Sequence, residues 1–500
     1  MSRKKKDEFE LAGKYDDPQA IRDAEEFEES GGLSSEDDSA GDALGGGGGE
    51  CGLSASPVAD RLVGECADDH RFLNDLLSGF VCTDGIWQPD VKDHILFRKA
   101  RRLCLRMYAE SAAPHFVKSH LLSVEMPTAV TKIALTEILH IKFADVFDVN
   151  PDTIGHPGGR LTDLKTGIER QAKPTDYVSK MTTVSPGDAT HCTRFLKFLN
   201  EITKTHPELV AYLLRLMGYG CTGQMTEELL SVWLGGGANG KTILVDLLTK
   251  TLGDYVAILS VKLLASGAQD GSDQELRTIG HLCGARMAFA SESSKRLKMD
   301  NGLAKKMAAP EKLLGRKLYC NAFSFHPTHK LVISAQELVF EAIDYAIQRR
   351  LHVVNFPQRF CRPEDIKDYP GAMLIDKNIG RDLAAERPAI LALLLNEARA
   401  WYTDGLTKPE IVRQTTESFF TDADDFGQWC TECIIRDSAA FTTNNLWYVS
   451  YSRFMESVGR EVEYKDVIAK KLVGRGFKSE QRNIGRGYVG FRLKDNSDAE

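Results

Sequence analysis

Hydrophobic positions along the chain change period around residue 235. Leu229 to Leu234, LLSVWL, is a near-continuous apolar run and predicts a buried strand. A glycine-rich turn follows, and KTILVDLLTKTL then predicts a helix from Lys241 to about Leu252, stopped by Gly253. Downstream, YVAILSVKLL and Met287 to Ala290 (after a helix ending near Gly284) read as further strands. A helix carrying Lys305 and Lys306 leads into the strand KLLGRKLY, a turn around Cys320-Asn321, a returning segment and the strand KLVIS. RRLHVVNF supplies another strand, so an α/β unit with a parallel sheet is expected.

The flanks read differently. From Val58 to about Pro186 the spacing is mostly helical, as in HILFRKARRLCLRMYAE and TAVTKIALTEILHIKF, with a short hairpin expected over residues 158–167 and Trp87 expected to serve packing. Two more helices, CTRFLKFLNEIT and HPELVAYLLRLMGYG with Pro207 at its start, precede the glycine turn. Residues 361 to about 415 read as helical. Beyond Asp425, NLWYVSYSRFMESVG and YKDVIAKKLVG predict two helices, and RGFKSEQRNIGRGYVGFRLK predicts a hairpin, an order that suggests a winged helix. The expected domains are a tail (1–56), a mostly helical domain (57–190), the α/β core (191–360), a helical lid or linker (361–417) and the winged helix (418–500).

Charge sharpens this division. The net charge is -8, yet residues 1–60 hold six Lys/Arg against sixteen Asp/Glu, so the other 440 residues carry +2. The tail is polar, acidic and glycine-rich, and disorder is expected because it cannot bury enough apolar surface to offset its ordering entropy. Residues 465–494 carry nine Lys/Arg against Asp466 and Glu480, a local +7 that suits duplex DNA, with Lys470, Lys471, Arg482 and Arg486 as candidate phosphate contacts. No apolar run reaches the length of a membrane span and MSRKKKDEFE lacks a signal-peptide core, so a soluble, cytoplasmic protein with no membrane partner is expected. The eleven cysteines form no paired framework, and Cys430-x2-Cys433 has no second pair that would suggest zinc.

The candidate chemistry sits at the change of period. Gly235-x4-Gly240-Lys241-Thr242, between a strand and a helix, is the full P-loop pattern in its required context. Residues Gly235, Gly236, Gly237, Ala238, Asn239, Gly240, Lys241 and Thr242 are therefore expected to bind ATP: amide groups gather around phosphate oxygens, Lys241 adds charge, and the Thr242 hydroxyl is placed for Mg2+. Glu292, after the strand 287–290, is the candidate for completing the Mg2+ shell and orienting the attacking water. Arg316, Lys317 and Tyr319 combine basic and aromatic character on an expected protruding hairpin, which suits a single-stranded backbone with stacked bases. Arg349 and Arg350 precede a strand, where one could reach a neighbouring subunit's γ-phosphate.

Together these stretches resemble the superfamily 3 helicase module of the phage/plasmid primase-helicase family, also found in poxvirus-type primase-helicases. GGGANGKT resembles the family P-loop and RMAFASE its strand with one essential acid. AKKMAAPEKLLGRKLY matches the spacing of a family motif that puts Lys305, Glu311, Arg316 and Tyr319 at motif positions. HKLVISAQ resembles the strand ending in the sensor residue, and RRLHVVNF the arginine-finger segment, pointing to Arg350 with Arg349 as substitute. Gln336 stands where the family has asparagine, Ala309-Pro310-Glu311 where it has Gly-Gly-Asp, and Val339 where it has proline. The resemblance covers about residues 58–494.

It implies an AAA+ P-loop ATPase that forms a ring, a hexamer, with single-stranded DNA in the channel and duplex at the winged helix. The expected function is an ATP-dependent DNA helicase replicating a phage, plasmid or integrated element. A separate chain would supply any primase. The alternative is an ATP-switched DNA-binding initiator without significant unwinding.

Overall fold

A computed structural model describes residues 53–265, 272–291, 297–317, 320–340, 344–423, 425–460 and 462–494. The expectations for the acidic tail, Glu292 and Tyr319 fall outside them, apart from the tail's last four residues.

The N-terminal part is less helical than its spacing predicts. Helices α1 (Ala55–Cys66), α2 (His94–Glu110) and α3 (Glu125–Glu137) enclose a core that includes Leu62, Leu96, Leu103 and Val130. Around them run β1 (His70–Leu73), β2 (Ser78–Thr83), β3 (Ile86–Asp90) and β4 (His140–Ile141), ordered β3-β2-β1-β4. A second small sheet joins β5 (Thr153–His156), β6 (Arg160–Asp163) and β7 (Glu169–Gln171). The expected 158–167 hairpin is therefore shifted: its tight turn lies between β5 and β6, at Gly158 and Gly159, both with positive φ. Trp87 does serve packing; it is fully buried, stacks on Tyr177 and donates its indole N–H to the Pro174 carbonyl at 2.8 Å.

Helices α4 (Thr193–Ile202) and α5 (Pro207–Cys221) lead into the central sheet. Its units are β8 (Leu230–Leu234), α6 (Lys241–Leu252), β9 (Val256–Ser260), α7 (Asp273–Gly280), β10 (Met287–Ser291), β11 (Leu297–Met299), α8 (Asn301–Ala308), β12 (Leu313–Arg316), β13 (Ala322–Phe325), β14 (Lys330–Ala335), β15 (Leu338–Phe340), α9 (Tyr345–Arg350) and β16 (Leu351–Asn355). Five of them form a wholly parallel sheet in the order β16-β8-β14-β10-β9. Both faces are covered, which is why these strands read as unbroken apolar runs. Their side chains still alternate. Trp233, Phe289, Val332 and Val354 enter one core, whereas Val232, Ala290, Ile333 and Val353 enter the other. The second core also holds Phe80, Trp87, Phe143 and Phe147, so the first small sheet packs onto the central module.

Close helix packing holds the other face. At Gly218 on α5 an added β-carbon would lie 2.5 Å from the Glu397 Cβ and 2.6 Å from the Ala398 nitrogen. Glu397 and Ala398 belong to α11 (Arg387–Asp404), which follows β17 (Phe360–Cys361), β18 (Met373–Leu374) and α10 (Ile379–Ala385). Alanine would gain about 1 kcal/mol of helix propensity, but backbone atoms cannot rotate away, and overpacking of this kind costs about 1–3 kcal/mol. Gly218→Ala is therefore expected to lower the thermal midpoint, and an unchanged or raised midpoint would refute the close contact.

After α12 (Glu410–Ala423) the chain forms α13 (Asp425–Cys433), β19 (Ile434–Thr443), α14 (Asn444–Ser457), α15 (Lys465–Gly474), β20 (Lys478–Arg482) and β21 (Gly485–Leu493). Strand β19 pairs with β21 and β21 with β20 around a separate core of Trp429, Trp447, Tyr451 and Phe491. Among the described residues no helix is long and apolar enough to cross a membrane.

Candidate functional site

Strand β8 ends at Leu234 and α6 starts at Lys241, so residues 235–240 form the loop at the carboxyl edge of the sheet. Three backbone positions make its turn: Gly235 has φ 150°, Ala238 56° and Gly240 88°. Only glycine fits at 235, because a β-carbon there would sit 2.3 Å from the Asn239 Nδ2 and 2.8 Å from the Phe356 carbonyl. Gly236, Gly237 and Ala238 are exposed, and Asn239 is buried with its Nδ2 unpartnered.

Lys241 is the chemical centre of this loop. Its side chain is buried, and its ammonium donates to the Gly235 carbonyl at 2.6 Å. No carboxylate bonds it among the described residues, and burial pushes its pKa down to about 8. A buried cation whose hydrogen-bond acceptor among the described residues is a backbone carbonyl favours an anion. Thr242, the next residue, is exposed at the first turn of α6, so its hydroxyl is open to a metal ion.

Register brings other expected residues to the same edge. Ala335 pairs with Leu234, so Gln336 emerges beside Gly235; its Nε2 lies 3.9 Å from the β-carbon position of Gly237. Ser291, directly before Glu292, pairs with Ser334 on that edge.

The remaining candidates lie elsewhere. Arg349 and Arg350 end α9, and Leu351 pairs with Leu230, so both arginines sit at the amino edge of the sheet. Both bind Glu228; Arg349 is 46% exposed and Arg350 only 11%. Lys305 pairs with Asp344, the residue that caps α9.

The hairpin corrects one expectation. Strands β12 and β13 do pair, but Arg316 bonds Asp273 at 2.9 Å and the Cys320 carbonyl at 2.9 Å, and Lys317 is half-buried with its ammonium 4.7 Å from the centre of the Phe143 ring. Desolvation against that surface lowers the Lys317 pKa. The hairpin is thus seated on the first small sheet rather than standing free, because Phe323 and Phe325 share that sheet's core.

On the C-terminal module, Lys470 is exposed on α15, Lys471 pairs with Glu463, and Arg482 pairs with Glu480 at 3.0 Å. Arg486 donates to the Ser479 hydroxyl at 3.4 Å.

A feature unread in the sequence adjoins the loop. A cavity of about 380 Å³ opens beside Ala238 and Gly240, walled by Phe198, Ile243, Phe360 and Ile379. Arg194 closes its rim, bonded to Glu201 at 3.3 Å and Asp376 at 3.0 Å. Apolar walls beside a glycine loop suit the apolar faces of a small ligand.

Comparison with known proteins adds a second line. The D5 N terminal like family model matches residues 59–204. The chain is 26% identical over 300 residues to "Putative helicase L207/L206" of Acanthamoeba polyphaga mimivirus, covering 58% of this chain and 31% of that protein. It is 25% identical over 287 residues to "Putative primase C962R" of African swine fever virus, covering 55% and 29%. A third relative, "Putative helicase V13" of Sputnik virophage, is 25% identical over 189 residues, covering 36% and 24%. The chain spans about a third of the length of the first two relatives. Among solved structures, the apo NrS-1 C terminal region aligns at TM-score 0.45 and 11% identity over 87% of this chain and 98% of that one.

Proposed function

The comparisons support a phage and viral primase-helicase family for this chain, and from that premise we propose that it is an ATP-dependent DNA helicase with an AAA+ core and a C-terminal winged helix. The observation that carries the reading is Lys241: a buried ammonium with no carboxylate partner among the described residues, at the root of a glycine loop, beside a cavity with room for a nucleobase.

In this reading the loop amides and Lys241 hold the triphosphate, and the base enters the slot between Phe198 and Ile243. Thr242 and Glu292 would hold Mg2+, which neutralises phosphate charge when bound. Gln336 holds an amide toward the γ-phosphate, and Glu292 orients the attacking water. Arg350 sits at the wrong edge to reach its own nucleotide, which supports a ring, a hexamer, in which each arginine serves the next protomer's site. Helix α15 with the β20–β21 wing would hold duplex through Lys470, Lys471, Arg482 and Arg486. Any primase would be a separate chain.

The discriminating test is strand displacement on forked DNA with and without ATP. Displacement that requires ATP is expected. ATP-dependent DNA binding with no displacement would replace the helicase by an assembly switch.

One pH dependence follows. Bound phosphate favours the charged ammonium, so the Lys241 pKa is higher with nucleotide than without, where it is about 8. Binding must then take up a proton above pH 8. Nucleotide affinity is expected to weaken as pH rises past that value, approaching tenfold per pH unit, and to be flat below pH 7 with respect to this group. Titration of a fluorescent ATP analogue between pH 7 and 9.5 checks it; an affinity that climbs with pH would contradict the assignment.

A further inference from the structure

Helix α2 carries a row of arginines with no assigned role. Arg98, Arg101 and Arg102 are all exposed, and their spacing of three and four residues puts them on one face, with Cβ atoms about 5–6 Å apart. None of the three side chains has a hydrogen bond or ion pair among the described residues.

The nearby carboxylates are engaged by other bases. Glu65 is held by Arg61 and, at 2.7 Å, by Arg106; Glu110 is met by Arg61; Asp69 is held by Lys99 at 2.7 Å and His70 at 2.9 Å. The helix as a whole carries Arg98, Lys99, Arg101, Arg102 and Arg106 against Glu110 alone. Like charges at these spacings repel, so the face carries an unrelieved electrostatic strain. Guanidinium forks match phosphate oxygens two at a time, and a repeating phosphate chain would relieve that strain along the whole row.

We propose that this outer face of α2 binds a nucleic-acid backbone, at a site separate from both the β12–β13 hairpin and the C-terminal module. The choice of nucleic acid rests on the replication reading above. The contact would act through charge rather than base identity, because arginines on a smooth helix face meet phosphates before base edges.

The test is fluorescence anisotropy of the full chain, without nucleotide, on labelled single-stranded, duplex and forked DNA across a salt series. The variant is Arg98→Gln with Arg101→Gln and Arg102→Gln, and an all-lysine version serves as rescue. Expected are a Kd at least about tenfold weaker at low salt and a slope of log K against log salt shallower by about two to three, with most of the slope regained by the lysine version. Basal ATP hydrolysis and the thermal midpoint should stay put, since the three side chains touch neither the loop nor the core. Which probe loses most identifies single strand or duplex as the ligand.

Wild-type binding with an unchanged slope in the glutamine variant overturns this site and leaves the helicase reading standing. A wild-type chain that binds none of the probes overturns both. An unchanged slope together with faster trypsin cleavage within residues 1–52 of the variant would overturn it in favour of the chain's own acidic segment as the occupant.

Discussion

Lys241→Ala should reduce ATP hydrolysis at least about a thousandfold and abolish unwinding, while leaving the protein folded. Among the described residues the Lys241 ammonium is the buried positive charge at the loop, and in the proposed reading nucleotide would draw it from the Gly235 carbonyl to phosphate oxygens, where charge-assisted bonds are roughly twice as strong as neutral ones. Its loss removes stabilisation at the atoms where charge develops. The fold should not suffer. Burial already depresses the Lys241 pKa to about 8, so the folded state holds this cation at a cost, and truncation relieves it. A thermal midpoint at or above that of wild type, with hydrolysis lost, is the expected pair of results. Hydrolysis that survives would remove the loop from the chemistry.

Arg350→Ala should be nearly as damaging by another route. An arginine finger contributes about a thousandfold or more to phosphoryl transfer, so hydrolysis should fall to that extent while nucleotide affinity changes only a few-fold. Arg350 is held by Glu228 at the amino edge of the sheet, whereas the loop lies at the carboxyl edge. The residue therefore cannot serve its own site. Mixing Arg350→Ala chains with Lys241→Ala chains should restore partial activity, because some interfaces then combine an intact loop with an intact arginine. A mixture no more active than either variant alone would refute service between protomers.

The parts of this molecule that were legible in the sequence are those written in local signals. Helix α6 runs over the expected Lys241 to Leu252 because a glycine turn opens it and Gly253, with φ 58°, closes it. Strands β8, β10 and β14 follow their apolar runs for the same reason. The first small sheet was missed because its strands are two to six residues long and one contains Pro89, tolerated on β3 as the edge strand. Helix α7 stops at Gly280 rather than near Gly284, and there a β-carbon would lie 2.5 Å from the Arg316 carbonyl. That contact depends on a partner 36 positions along the chain. The seat of Lys317 on Phe143 and the cavity joining Phe198 to Ile379 likewise depend on residues more than 170 positions apart. No local pattern carries such pairings.

The central sheet has a mechanical consequence. Strands β16 and β8 are in register on every rung, from Leu351 opposite Leu230 to Asn355 opposite Leu234, so the pair is tied along its whole length. At about 3.3 Å per residue they make a rigid strut some ~16 Å long, with the arginine pair at one tip and the glycine loop at the other. In the ring proposed above, such a strut would join the arginine that serves one pocket to the loop that forms the next, so neighbouring pockets would be linked through one pair of strands.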